Sequence, residues 1–271
     1  MKFRPATGTA EMPFLDHLEE LRWRILWSLL ALMLCTGAAF VFVLNVDVIG
    51  FLMRPVVPYL PEGKLSFLGV TDPFFITLKL AISMGLVVAL PIIIYQTWAF
   101  LSPALVPRER RAIIPAFYLG TLLFMAGASL AYFAALPFTI RFMLGFQTQA
   151  LSPILTAPEY FAFVTKLLLA FGFIFEMPVV IMVLAALGIV TSSFLKAKRR
   201  YAVGGMAVAA AMITPGDAIT ATLIMMGPLL LLYELSIMLA RMVERGRERA
   251  IRAEAAAEAD ALENNGAVRG A

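Results

Sequence analysis

Between two long apolar runs the chain carries the polar stretch Gln96-Thr-Trp-Ala-Phe-Leu-Ser-Pro-Ala-Leu-Val-Pro-Arg-Glu-Arg-Arg111. Pro103 and Pro107 lie within it, and each lacks an N–H donor and disfavours helical geometry at the residue before it. Because one helix cannot continue through both prolines, the sequence predicts two separate helices, one on each side. Glu109 lies among three arginines in this stretch, which is therefore a polar connection outside the apolar phase.

The composition is that of an integral membrane protein. Of 271 residues, 61% are hydrophobic and 15% are charged, and the mean hydropathy is +0.88. Soluble domains carry about a quarter charged residues. The first apolar run begins only after Arg24 and no small-residue cleavage site follows it, so we expect this span to remain in the mature protein. Cys35 is the only cysteine, which excludes an intrachain disulfide and a cysteine-based metal site.

Helical segments account for nearly the whole chain, which predicts an all-α membrane protein with six spans. Phe14, Leu18, Leu21 and Ile25 recur on one face of an amphipathic helix, which we expect to lie along the membrane surface with His17, Glu20 and Arg24 on its polar flank. A short helix is predicted near 46–53. The predicted spans are residues 25–44, 73–98, 115–137, 158–187, 201–213 and 218–240.

The fifth predicted span is unusually short. Its 13 residues rise about 20 Å, less than the ~30 Å thickness of the hydrocarbon, so we expect the last two spans to lie in a locally thinned bilayer. The chain then divides into an amphipathic N-terminal segment (1–24), a six-span membrane domain (25–240) and a C-terminal tail (241–271). The tail is rich in alanine, glutamate and arginine, and we expect it to be flexible or a frayed helix.

The distribution of lysine and arginine predicts the orientation of the chain. These residues are concentrated in the N-terminal segment, the polar connection, the loop at 188–200 and the tail, whereas only Arg54, Lys64 and Arg141 lie in the loops of the opposite side. The positive-inside rule therefore predicts that both termini are cytoplasmic. The net charge of +4 is explained by this topology and by anionic lipid, so we expect no nucleic acid partner.

No set of catalytic residues is recognisable in the sequence. His17 is the only histidine and lies in the amphipathic segment, and Cys35 has no candidate base in its apolar surroundings. We therefore predict no enzyme activity, no cofactor and no metal.

Glu20 and Glu109 are acids in the two cytoplasmic segments that bracket the first two spans, and they admit two interpretations. Each can simply neutralise nearby arginines, as Glu20 would with Arg24 at i+4. Alternatively both face one groove and bind a cationic partner, since carboxylates bind guanidinium groups bidentately. The spacing alone favours neutralisation.

Glu176 lies at membrane depth in Phe171-Gly-Phe-Ile-Phe-Glu-Met-Pro178. A charged side chain there costs ~2.5–3.5 kcal/mol on insertion scales, so the acid must face protein or water, or be protonated. It is either a functional group or a structural plug that bonds a carbonyl freed at a Pro178 kink, and the two interpretations have equal weight. Two smaller patterns are structural: Trp23, Trp27 and Trp98 fit an interfacial aromatic belt, and Gly120 and Gly127 fit close helix packing.

Several separate motifs resemble the TatC family, the receptor subunit of the twin-arginine protein translocase, over residues 14 to about 240. They are, in chain order, Phe14-Leu-Asp-His-Leu-Glu-Glu-Leu-Arg-Trp-Arg24, Pro91 with Tyr95-Gln-Thr-Trp-Ala-Phe100, Ser102-Pro-Ala-Leu with Arg108-Glu-Arg-Arg111, Ala131-Tyr-Phe133, Phe171-Gly-Phe-Ile-Phe-Glu-Met-Pro178, Lys198-Arg-Arg-Tyr201 and Thr214-Pro-Gly-Asp217. One departure is Ala221, where family members often carry glutamine.

The resemblance implies a concave arrangement of helices in the inner membrane that recognises twin-arginine signal peptides of folded cargo and is driven by the protonmotive force. It implies TatA and TatB as single-span partners, self-association in a receptor complex and contact with lipid. The residues it implicates in signal-peptide binding are Glu20, Glu109, Arg22 and Phe100, with Glu176 in the groove.

The resemblance also implies that Pro55 and Tyr132 are structurally sensitive. Residue chemistry adds two further structural positions, Pro178 at the kink and Asp217 as a helix N-cap. The alternative function is a proton- or ion-coupled secondary transporter of a small solute using Glu176, Lys79 and Lys166, although the sequence lacks the inverted repeats of such transporters.

Overall fold

The computed structural model describes residues 14–60, 63–101, 113–145, 155–213 and 220–269. Within these ranges the protein is helical, and its β-structure is a single isolated bridge between Ser66 and Thr156. The helices are, in chain order, α1 (Phe14–Asn45), α2 (Val48–Met53), α3 (Asp72–Leu101), α4 (Ile113–Leu130), α5 (Leu136–Gly145), α6 (Ala157–Phe175), α7 (Met177–Ala186), α8 (Ser192–Ala197), α9 (Arg199–Ile213) and α10 (Thr220–Arg269).

Among the residues that the structure describes, five helical segments are long and apolar enough to cross a membrane. They are Asp16–Asn45, Asp72–Phe100, Tyr118–Gly145, Ala157–Ala186 and Met226–Arg249. They agree with five of the six predicted spans, and they make this a multi-pass membrane protein. The predicted fifth span lies in α9, whose 15 residues rise only about 23 Å.

The amphipathic segment and the first span form one uninterrupted helix. α1 runs for 32 residues from Phe14 to Asn45, about 48 Å, so no break separates the segment expected on the membrane surface from the segment expected to cross it. α3 then extends from Asp72 through Pro91 to Leu101. The predicted short helix near 46–53 is confirmed by α2.

The third span is longer than predicted, because Pro137 does not end it. A π-helical turn at Ala131–Ala135 precedes this proline. The N–H of Leu136, the residue that follows the turn, donates to the carbonyl of Ala131, five residues back. The proline then occupies the first turn of α5, where a missing N–H donor is tolerated, and the helix continues to Gly145. The prediction of an end at Pro137 was therefore wrong by about two turns.

The fourth span is interrupted where the sequence predicts a kink. α6 ends at Phe175, α7 begins at Met177, and Glu176 lies between them with Pro178 in the first turn of α7. Because Pro178 has no N–H to donate, the helical hydrogen bonds cannot run on without a break. The N–H of Glu176 instead donates to the carbonyl of Phe173 at 3.1 Å.

Small residues allow the helices to approach closely. A Cβ atom on Gly85 of α3 would lie 2.5 Å from the Cα atom of Thr36 in α1, and a Cβ atom on Gly127 of α4 would lie 2.7 Å from the carbonyl oxygen of Phe171 in α6. The prediction of close packing at Gly127 is therefore confirmed. α1 packs on α3, α4 on α6, and α7 on α10.

Trp98 does not belong to an interfacial belt. Its side chain is 2% exposed and packs against Met182 and Ala186 of α7, whereas Trp23 and Trp27 are exposed. The position of Trp98 near a helix end suggested the membrane–water interface, but the neighbouring helix covers that face.

The last helix, α10, runs past the predicted span and continues to Arg269.

Candidate functional site

The N-terminal part of α1 and the C-terminal end of α3 meet through two aromatic rings. The imidazole of His17 stacks on the ring of Phe100, with 4.4 Å between the centroids and 8° between the planes. One helical turn before Phe100, Gln96 accepts a hydrogen bond of 3.3 Å from Nη1 of Arg24. These two contacts join the polar flank of α1 to α3 and form one surface, which we call the α1–α3 surface.

Glu20 lies at the centre of this polar flank. Its Oε1 accepts hydrogen bonds from Nε of Arg24, at 2.9 Å, and from Nη2 of the same guanidinium. The ion pair at i+4 is the one that the sequence predicts for a neutralising role.

The second carboxylate oxygen of Glu20 is less well satisfied. Oε2 lies 3.6 Å from Nδ1 of His17 and is shielded from solvent, yet it accepts no hydrogen bond from the part of the chain that the structure describes. An ionised carboxylate has about four acceptor positions, and a shielded one gains most from a charged donor. This oxygen is therefore suited to an additional cationic donor.

The structure brings together some of the predicted binding residues. Glu20 and Phe100 lie on the same α1–α3 surface, whereas Arg22 is exposed and, two residues from Glu20, lies about 200° around the helix axis. Glu109 and Asp217 lie outside the described residues. The sequence analysis missed Gln96, and its only signal was the i, i+4 spacing with Phe100 at the end of α3.

Glu176 is buried at the break between α6 and α7, with 9% of its surface exposed. A Cβ atom on Gly120 of α4 would lie 2.9 Å from its Oε2 and 3.1 Å from Cδ1 of Ile94 in α3, so the carboxyl group lies between these helices. Among the described residues, none forms a hydrogen bond with Oε1. The structure therefore places this acid against protein, which is one of the alternatives that the sequence leaves open.

Tyr132 fastens the short helix α2 to the helical bundle. Its hydroxyl donates to the carbonyl of Phe51 at 2.5 Å, and its ring stacks on Phe51 with 4.6 Å between the centroids. Tyr160 of α6, which the sequence analysis did not single out, donates to the next carbonyl, that of Leu52, at 2.6 Å. Pro55 is half-buried in the turn after α2, next to the fully buried Val56.

A second polar cluster connects α8 and α9 to α10. Both carboxylate oxygens of Glu244 accept hydrogen bonds from Ser192, Oε1 from the backbone N–H at 2.6 Å and Oε2 from the hydroxyl at 2.5 Å. Nη2 of Arg199 lies 2.6 Å from Oε1 of Glu234, whose role the sequence leaves open. Within the described parts of the chain, no group of three or more His, Cys, Asp or Glu side chains could hold a metal ion.

Comparisons with known proteins agree on one family. The profile of the family "Sec-independent protein translocase protein (TatC)" matches residues 16–228. The Sec-independent protein translocase protein TatC of Aquifex aeolicus (strain VF5) is 41% identical over 239 residues, which cover 88% of this chain and 98% of that protein. TatCy of Bacillus subtilis (strain 168) is 36% identical over 242 residues, covering 87% of this chain and 91% of that protein.

Solved structures give the same result. A crystal structure of a twin-arginine translocase receptor, TatC, superposes with a TM-score of 0.69 at 40% identity, covering 84% of this chain and 99% of that chain. A second crystal structure of this receptor, in DDM, superposes with a TM-score of 0.71 at 41% identity, covering 83% of this chain and 99% of that chain. All of these proteins are named as translocase proteins or as a translocase receptor. The alternative function, a secondary transporter of a small solute, therefore has no support. The chain belongs to the TatC family of Sec-independent protein translocase proteins.

Proposed function

We propose that this protein is the receptor core of a twin-arginine export system and binds the paired arginines of signal peptides at the α1–α3 surface. The observation that carries the proposal is the stack of His17 on Phe100, which holds Glu20 and the end of α3 on one surface. Membership of the TatC family supports it independently.

The chemistry of this surface suits a guanidinium group. Glu20 offers a shielded carboxylate oxygen without a hydrogen bond from the described residues, and Phe100, stacked on His17, offers an aromatic ring on the same surface. Arginine pairs with carboxylates through a planar fork of donors and stacks on aromatic rings, which the compact ammonium of lysine does less well. We propose that Glu109, in the connection that follows α3, supplies the second carboxylate.

The proposed binding event includes a change of partner for Glu20. Its present partner, Arg24, also donates to Gln96, so Arg24 keeps an acceptor when an incoming guanidinium takes a share of the carboxylate. The Glu20–Arg24 pair is half-buried, so binding is favoured when the incoming guanidinium shares the carboxylate and neither charge is left without a partner. Neutralisation and signal binding are then two states of the same residue.

The remaining features of the translocase belong to the same proposal. We propose six spans with both termini cytoplasmic in the inner membrane, where α9 and the start of α10 form two short spans in a thinned bilayer. Single-span TatA and TatB subunits and further copies of this chain would assemble around it, and the protonmotive force would drive transport. The buried Glu176, between α4 and the break at α7, is proposed to act in the groove of the receptor.

Site-specific photo-crosslinking tests the binding surface. A crosslinking amino acid at Gln96 is expected to capture an Arg-Arg signal peptide and to capture a Lys-Lys peptide much less. The matched control places the same group at Met242, which is exposed on α10. Equal capture at both positions, or equal capture of both peptides at Gln96, would contradict the proposal.

A further inference from the structure

The loop that precedes α3 exposes three apolar side chains. Phe67 is 56% exposed, Leu68 is 87% exposed and Val70 is 95% exposed, all within four residues. Single exposed apolar residues are common on proteins, but a contiguous group marks a contact with another apolar phase. We call these three residues the apolar tip.

The backbone holds the apolar tip in a defined conformation. The carbonyl of Ser66 accepts a hydrogen bond of 2.7 Å from the N–H of Ala157, which ties the loop to the start of α6. Oδ2 of Asp72 accepts from the N–H of Leu68, at 3.2 Å, and from the N–H of Gly69, at 2.8 Å. The loop contributes only backbone N–H and carbonyl groups to these bonds, so the bonds do not depend on the apolar side chains.

The apolar tip is continuous with the membrane-facing surface of α3. The membrane-crossing segment begins at Asp72, two residues after Val70, and its first turns expose Phe74 and Phe75. One helical turn is about 5.4 Å long, while headgroups and interface add roughly 5–8 Å to the hydrocarbon on each side of a bilayer. The tip is therefore within reach of the acyl chains at the N-terminal end of α3.

The charges near the tip do not oppose contact with lipid. Asp72 is the only charged residue between Leu65 and Phe75, and its carboxylate already accepts two backbone hydrogen bonds. Lys64, at the start of the loop, is exposed and can remain at the level of the headgroups. Three side chains also form a far smaller patch than the 20–30 residues that each partner contributes to a standard protein interface.

We propose that Phe67, Leu68 and Val70 insert into the lipid interface at the N-terminal end of α3 and anchor the loop to the membrane surface. The occupant of this surface is lipid of that leaflet. The tip then fixes the depth of the α2 region in the bilayer. This inference requires only that α3 crosses the membrane and does not depend on the proposed receptor function.

Fluorescence depth measurement tests the anchor. In a Cys35→Ser background, Leu68→Cys and, separately, Val70→Cys are labelled with an environment-sensitive fluorophore and placed at one copy per nanodisc of phosphatidylcholine. Both cysteines are expected to be tolerated, because the loop is held by its backbone. Ile82→Cys, exposed in the middle of α3, is the lipid reference. Arg252→Cys is the water reference, because it is exposed on α10 and lies beyond the segment that could cross the membrane.

We expect emission from positions 68 and 70 to be blue-shifted relative to position 252. We also expect their emission to lose more intensity when lipids carry a spin label close to the headgroup than when the label lies at the end of the acyl chain. Position 82 should show the opposite order. Emission at positions 68 and 70 like that of position 252, unaffected by either spin-labelled lipid, would overturn the proposal. A blue shift that appears only in discs with two copies would assign the surface to a second protein molecule and would also overturn it.

Discussion

The hydroxyl of Tyr160 donates a hydrogen bond of 2.6 Å to the carbonyl of Leu52, which lies 108 residues earlier in the chain. Tyr132 makes the equivalent bond to the neighbouring carbonyl of Phe51. Two tyrosines from different helices therefore hold the short helix α2, whose six residues could not form a stable helix alone.

Tyr160→Phe is expected to destabilise the protein by roughly 1–2 kcal/mol, because a buried hydrogen bond is lost while the ring volume is kept. Thermal unfolding in detergent measures the effect. Tyr59→Phe, in which the exposed ring lies in the turn after α2, is the matched control and should leave the midpoint unchanged. The structural role of Tyr160 would be refuted if both variants unfolded at the temperature of the parent.

Gly127→Ala is expected to be more damaging than Gly120→Ala. The new Cβ atom at position 127 would meet the backbone oxygen of Phe171 at 2.7 Å, whereas at position 120 its neighbours are the ends of two flexible side chains, Glu176 and Ile94. Overpacking against a backbone that cannot move costs about 1–3 kcal/mol. Comparison of the two unfolding midpoints tests the difference, and a lower midpoint for Gly120→Ala would contradict this ranking.

Glu20→Gln and Glu109→Gln are each expected to weaken Arg-Arg peptide binding by about ten- to a hundredfold, since a charge-assisted hydrogen bond contributes roughly 1.5–3 kcal/mol. Lys-Lys peptide binding should change little. The measurement is peptide affinity in nanodiscs at fixed salt, with Glu19→Gln, an exposed neighbour on α1, as the control.

The double variant distinguishes a shared site from two separate ones. If both carboxylates grip one pair of arginines, the combined loss will be smaller than the sum of the single losses. Unchanged discrimination between Arg-Arg and Lys-Lys peptides in both single variants would show that these acids only neutralise neighbouring arginines.

Glu176→Gln is expected to reduce export without unfolding the protein, because glutamine keeps the size of the side chain and its hydrogen-bonding capacity. Glu176→Leu should in addition disturb the break between α6 and α7. Export of a folded reporter and thermal unfolding are measured for both variants. Full export by both would remove Glu176 from the functional residues.

Glu244→Gln is expected to loosen α8, because the carboxylate bonds both the N–H and the hydroxyl of Ser192 at the start of that helix. Hydrogen exchange of the amides in Ser192–Ala197 should become faster, while Glu248→Gln, with an exposed side chain one turn later, should leave them unchanged.

Truncation of the chain after Glu244 keeps the residue that bonds Ser192 and is expected to leave signal-peptide binding intact. Loss of peptide crosslinking in that truncated protein would make the last part of α10 a component of the receptor.

The sequence alone determined the helices and most of their limits, because those depend on local properties. Apolar runs long enough to cross a bilayer predict spans, and Pro178 breaks hydrogen bonds wherever its helix packs. The polar flank of α1 was predictable for the same reason, since the spacing of His17, Glu20 and Arg24 follows from helical geometry.

Only the tertiary structure decided which helix faces meet. In a helix that is apolar all round, such as α3, the sequence does not show which side is buried. The sequence therefore predicts that Trp98 lies at the membrane–water interface, whereas α7 covers it in the structure. The stack of His17 on Phe100 and the bond from Tyr160 to Leu52 join residues 83 and 108 positions apart in sequence, and neither follows from local spacing. They form because close packing at glycines such as Gly85 and Gly127 fixes the register of one helix against another, and that register decides which polar groups can reach each other.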